Sequence, residues 1–236
     1  MGFFDRFRQQ DNDTIKAEKL TIDDEADVDV DADIDEPDEF EKEAPADRET
    51  AGPFDVDEAP EGVPVIDFGA LRVPARPGMG IRVEFREQTQ AIVAIAIDLD
   101  GSSLQLQPFA APRSSGIWGE VREQLLESMA RQGAEAEVVD SPVGKAVVAT
   151  IGKESAKQRT IKFLGVDGPR WFVRGVVSGP AARDEALLEQ MVEVFRSVVV
   201  NRGSHAAPPR ELLPMQMPDA LAQQMQARQQ AGGSAE

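Results

Sequence analysis

The 236-residue chain has no cysteine, no tyrosine and one histidine. Without a thiol there is no disulfide framework, no thiolate nucleophile and no cysteine-ligated metal. That fits a reducing compartment. His205 stands in the tail stretch "NRGSHAAPPR" with no serine-elbow pattern beside it, so it reads as a surface side chain. No apolar run is long enough to span a bilayer. The opening "MGFFDRFRQQDND" turns acidic before the apolar core of a signal peptide can form. A soluble, cytoplasmic protein is expected.

Other absences narrow the chemistry. The glycine-bearing stretches "DGSS" and "GIWGEV" have neither phosphate-loop nor G-x-G-x-x-G spacing. The alternating acids of "DVDVDADID" suggest a calcium loop. Such a loop needs Gly at its sixth position and Glu at its twelfth. Starting from Asp27 those positions hold Ala32 and Asp38, and from Asp29 they hold Ile34 and Phe40. No cofactor and no metal site is expected.

The net charge is −18. Its placement matters more than its size. Between Asp11 and Glu61 there are 22 acids against 4 bases, and beyond Glu61 there are 20 against 19. The leader therefore carries the imbalance. Dense in like charge and poor in large apolar groups, it is expected to be disordered from residue 11 to 61. Ahead of it, Phe3, Phe4 and Phe7 fall at helical spacing beside Arg6 and Arg8. That motif is suited to a partner groove or to peripheral membrane contact. The balanced remainder has no basic excess, which argues against nucleic acid as a partner.

From Gly62 the pattern becomes that of a folded domain, 62–203. "GIRVEFRE" alternates, with Ile81, Val83 and Phe85 on one side and Arg82, Glu84 and Arg86 on the other. "QAIVAIAIDL", "SLQLQPFAA", "AEVVD", "KAVVATI", "RTIKFLGV" and "WFVRGVVS" read as further strands, and "VVVN" as a last short one. "SSGIWGEVREQLLESMARQG" reads as a helix capped by Ser114 or Ser115 and closed at Gly133. "RDEALLEQMVEVFRS" is a second helix, with Leu187, Met191, Val194 and Phe195 on one face. Several strands are apolar at both parities, so the sheet should be covered on both sides. The expected fold class is α+β, an antiparallel sheet with helices packed on it in an α/β/α sandwich. Residues 204–236 read as a proline-rich extension, with a short helix in "DALAQQMQARQQ".

Several motifs carry a resemblance. "GPFDVDEAP", "LRVP", "LQLQPFAAPRSSGIWGEVR", "FLGVDGPRWFVRGVVSGPAA" and the ending "VVVNRG…PPRELLP" resemble an actinobacterial family that is a domain of unknown function. The likeness runs from Gly52 to about Pro214. It implies no transferable activity; genes of that family often lie near a dUTPase gene. The element order also resembles the PsbP-like sandwich, which would imply a non-catalytic binding protein.

Candidate site residues cluster around Phe163–Ala182. Asp167-Gly168-Pro169-Arg170 is expected as a hairpin loop, setting Val166 opposite Trp171, Gly165 opposite Phe172 and Phe163 opposite Arg174. Trp171 is expected to anchor a helix on the sheet. Arg174, on a covered strand, requires a helix glutamate or a ligand anion; the ion pair is preferred. In "APRSSG", Arg113 and the helix amides could hold an anion, with serine capping the simpler alternative. Two functions follow. The first is a non-catalytic binding module for a protein partner, with a cleft near Arg113, Trp118, Arg170 and Trp171 and a tethered Phe motif. The second is a hydrolase acting on a nucleotide or acyl substrate through Asp167 and Arg170.

Overall fold

A computed structural model of the chain describes residues 40–152, 158–219 and 221–223. The strands are β1 (Phe54–Asp55), β2 (Val65–Asp67), β3 (Leu71–Pro74), β4 (Gly80–Phe85), β5 (Ile92–Leu99), β6 (Ser102–Ala110), β7 (Glu135–Ser141), β8 (Gly144–Ile151), β9 (Arg159–Asp167), β10 (Trp171–Ser178) and β11 (Val199–Val200). The helices are α1 (Arg48–Ala51), α2 (Trp118–Arg131) and α3 (Glu185–Arg196). Seven strands form one antiparallel sheet in the order β4-β5-β6-β10-β9-β8-β7. A small sheet, β1-β11-β3-β2, pairs β1 with β11 in parallel and is otherwise antiparallel. The expected α+β class is what the chain adopts.

Alternation along the strands gives the large sheet two different faces. Ile95 and Ile97 of β5, Leu104 and Leu106 of β6, Leu164 and Val166 of β9, and Trp171 and Val173 of β10 share one face. They join Leu188, Met191 and Phe195 of α3, and Leu71 and Val200 of the small sheet, in a single core. Phe195 lies over Gly175, where a Cβ would come within 2.8 Å of its ring. Of the four positions expected on the buried face of α3, Met191, Val194 and Phe195 are buried; Leu188 and Val192, rather than Leu187, complete the set.

The other face is only half covered by described elements. Helix α2 packs on β7, β8 and β9. Beyond it, Arg82 and Glu84 of β4, Ser103, Gln105, Gln107 and Phe109 of β6, and Phe172 and Arg174 of β10 share the face.

Two boundaries expected from composition need correction. Composition predicts a disordered leader over 11–61, but residues 40–61 are part of the described structure, and they include α1, β1 and a 3-10 turn at Val56–Glu58. Residues 1–39, including Phe3, Phe4 and Phe7 and the "DVDVDADID" acids, lie outside the described residues. The C-terminal extension was set apart at 204–236, yet part of it belongs to the domain. Leu213 and Met215 are buried in the core. The Leu213 amide donates to Pro108 O and the Gln216 amide to Phe68 O. Proline 108 cannot use its own nitrogen in the ladder, but its carbonyl receives this returning strand. Most of the expected helix at 219–230 also lies outside the described residues.

The first helix starts differently from expectation. Ile117 rather than a serine stands at the N-cap of α2, with no side-chain cap of its own. Its free amides are taken instead by Asp167, as described below. Its end matches the expectation, since Gly133 follows at φ +70°. The "DG" turn joins β5 and β6 as a two-residue hairpin, with Asp100 and Gly101 both at positive φ.

Candidate functional site

The hairpin β9–β10 organises the region where the sequence placed its candidates. Its register is two residues away from the expected one. Asp167 pairs with Phe172, Val166 with Val173, and Gly165 with Arg174. Gly165 therefore does not lie opposite Phe172. Its missing side chain makes room for Trp118 instead, because a Cβ there would sit 2.3 Å from Trp118 Cδ2. The indole stacks on Phe172 at 5.7 Å, and Phe172 stacks on Phe109 at 5.9 Å. The Trp118 Nε1 donates to Lys145 O at 2.7 Å. An aromatic row thus runs from the first turn of α2 across β10 to β6.

Asp167 is 2% exposed. Its carboxylate accepts from the amides of Ile117 at 3.0 Å, Trp118 at 3.4 Å and Glu43 at 3.1 Å. Two of these are free amides at the start of α2, so a strand carboxylate caps the helix from outside it. Burial pushes the Asp167 carboxyl above its ordinary range, while the three amide hydrogen bonds pull it back in part. The anion suggested for "APRSSG" is thus internal. Arg113 is exposed and Asp167 occupies the helix amides.

The segment from Phe40 to Glu58 straps this hairpin. Gly116 N donates to Phe40 O, and Asp167 N donates to Glu43 O at 2.9 Å. Lys42 Nζ donates to the carbonyls of Gly168 and Pro169 at 2.7 and 2.6 Å. Glu43 holds Arg122 of α2 with two bonds of 2.7 and 2.8 Å. Past the hairpin tip, the strap reaches the opposite face. There Arg48 lies 5.8 Å from the Trp171 ring centroid and is held by Glu58 at 2.6 and 2.7 Å. Asp55 Oδ2 accepts from Trp171 Nε1 at 2.7 Å. The strap crosses from one side of the sheet to the other around "DGPR".

The expected cleft is not assembled. Trp118 and Trp171 are both fully buried and on opposite faces of the sheet. Arg170 is exposed at the hairpin tip, while Asp167 lies beneath the strap. Trp171 packs in the α3 core as an anchor of the sheet.

Arg174 differs most from expectation. It is 8% exposed, yet its partner is no glutamate. Its Nε and Nη2 donate to Gln107 Oε1 at 3.2 and 2.5 Å, and the guanidinium lies 5.6 Å from the Phe109 ring centroid. Gln107 Nε2 donates in turn to Val93 O, which fixes its oxygen toward the arginine. Burial lowers the Arg174 pKa to about 10. Alongside, Arg82 binds Asp98 at 2.6 and 3.0 Å and reaches Ser103 at 3.2 Å, and Gln105 Nε2 donates to Glu84 Oε2. Sequence reasoning singled out Arg174 but missed Gln107 and Phe109. Their signal was available in the alternation of "SLQLQPF", which puts a glutamine and a phenylalanine on the side away from the leucines.

Elsewhere, a hollow of about 170 Å³ lies among Asp140, Lys162, Arg183, Asp184, Glu185 and Glu189. Its charges are mixed, and Arg183 is bonded to Thr160. Among the described residues no group of three metal-ligating side chains converges, and no helix is long and apolar enough to cross a membrane.

This is an α+β domain with a helix-capping aspartate inside its sheet and a polar strip beside α2. The chain belongs to the DUF3710 family of proteins of unknown function, whose model matches residues 52–224. No curated protein matches it. Among solved structures, the solution structure of cyanobacterial PsbP (CyanoP) from Synechocystis sp. PCC 6803 is similar over 58% of this chain and 92% of that one. The identity is 12% and the TM-score 0.37.

Proposed function

We infer that the domain is a binding module for a protein partner, and that the strip formed by β4, β5, β6 and β10 on the α2 side is its contact surface. The observation that supports this reading is the position of α2. It packs mainly on β7–β9 and reaches β10 through Trp118, and no other described helix is seen to pack on the remaining strip. Side chains there are polar and bonded pairwise along the sheet, as in Arg82–Asp98 and Gln105–Glu84. A polar rim around aromatic and arginine anchors is the composition of a non-obligate interface. Phe3, Phe4 and Phe7, at the far end of the acidic leader, would add a second contact to the same assembly.

Site-specific photo-crosslinking in the native cell tests the reading. A crosslinker at Ser103, on the strip, should give a discrete adduct that one at Glu123, on the solvent side of α2, does not. Identical patterns from both positions would rule the strip out as the contact surface.

A further inference from the structure

A buried guanidinium is ordinarily held by a carboxylate, because a neutral amide returns only part of the solvation the cation has lost. Arg174 has one neutral oxygen, that of Gln107, and the face of Phe109. Its Nη1 donates to no described residue. Acids on the same face or the same hairpin are engaged elsewhere. Asp98 is taken by Arg82, Glu84 accepts from Gln105, and Asp167 is held by three amides. The site thus presents a pre-positioned cation, an amide locked by Val93, and an aromatic wall. It faces the part of the sheet that α2 leaves uncovered.

We propose that Arg174, with Gln107 and Phe109, forms a carboxylate-binding site. The charge count favours a carboxylate over a phosphate. One guanidinium balances one negative charge, and the nearest helix N-terminus, that of α2, is already filled by Asp167. The planar edge of an arginine matches the two oxygens of a carboxylate. Phe109 gives an apolar body a surface to rest on. The carboxylate is that of a small acid. This inference deepens the preceding one by giving the strip a ligand chemistry.

The test is an NMR titration of the arginine Nε–Hε resonances of the full chain with sodium benzoate and sodium acetate, against chloride at equal ionic strength. One resonance, assigned by its loss in Arg174→Lys, should move saturably with benzoate and acetate and not with chloride. Gln107→Glu places a carboxylate against the guanidinium. It should weaken benzoate binding at least about tenfold and raise the melting temperature, a readout that does not require Arg174→Lys to fold. Absence of a saturable response, or equal movement of all arginines, overturns the proposal. The titration reads Arg174 itself and the crosslink reads a protein partner, so either can fail alone.

Discussion

Gly165 shows how much one missing methyl group organises. Its Cα lies beneath Trp118, and alanine there would force the indole away from Phe172. Gly165→Ala should destabilise the domain by about 1–3 kcal/mol, the cost of overpacking a tight contact, measured by urea unfolding. Asp167→Ala strands three amides, two of them at the start of α2, and should cost about 1–3 kcal/mol. Asp167→Asn, which keeps an acceptor, should cost less. Titration gives a third check. The hydrogen bonds from Arg48 hold the Glu58 carboxyl below its ordinary range of about 4.5. Its stabilising contribution is complete above that range and disappears as the pH falls through the lower folded value. Glu58→Gln should therefore flatten the acid limb of a stability–pH curve. Of this scale, the sequence made one idea legible and its details illegible. A glycine under an aromatic ring was expected at 165, but the ring comes from a helix 47 positions earlier, which local strand pairing cannot reveal.

At the scale of elements, the strap carries the lesson. "FEKEAPADRETAGPFDVDE" looked like a continuation of the acidic leader, because composition averages over a window. In the folded chain its acids are addressed individually: Glu43 to Arg122, Asp47 to Arg196, Asp55 to Trp171 and Glu58 to Arg48. Two buried anchors, Arg48 and Phe54, separate it from the all-acidic stretch before it. Glu43→Gln should cost about 1 kcal/mol or less, since the pair is partly solvated. It should also speed hydrogen exchange at the Asp167 amide, which donates to the Glu43 carbonyl. The long strands and both major helices were readable, because each repeats its own period over eight or more residues. Of the small sheet, only β11, within "VVVN", is legible as a strand in the sequence. Its strands are two to four residues long, and β1 meets β11 across the length of the domain.

For the whole molecule, the boundary between leader and domain falls near residue 40 rather than 61. Removing residues 1–39 should leave the melting temperature within about 2 °C, whereas removing residues 1–58 should lower it by about 10 °C or more. The second truncation loses the strap's hold on both faces of the sheet, together with β1. Calorimetry on the two truncations separates these outcomes. The charge imbalance and the charge-balanced domain were both visible in the sequence. The point where one becomes the other was set by specific partners far along the chain.

The closing pairs of the domain come from its ends. β1 waits for Val199 and Val200, and the exit of β6 waits for residues 210–213. During synthesis the central hairpins can pair before either seam, because each seam needs residues that emerge later, and the strand edges it covers stay open until then.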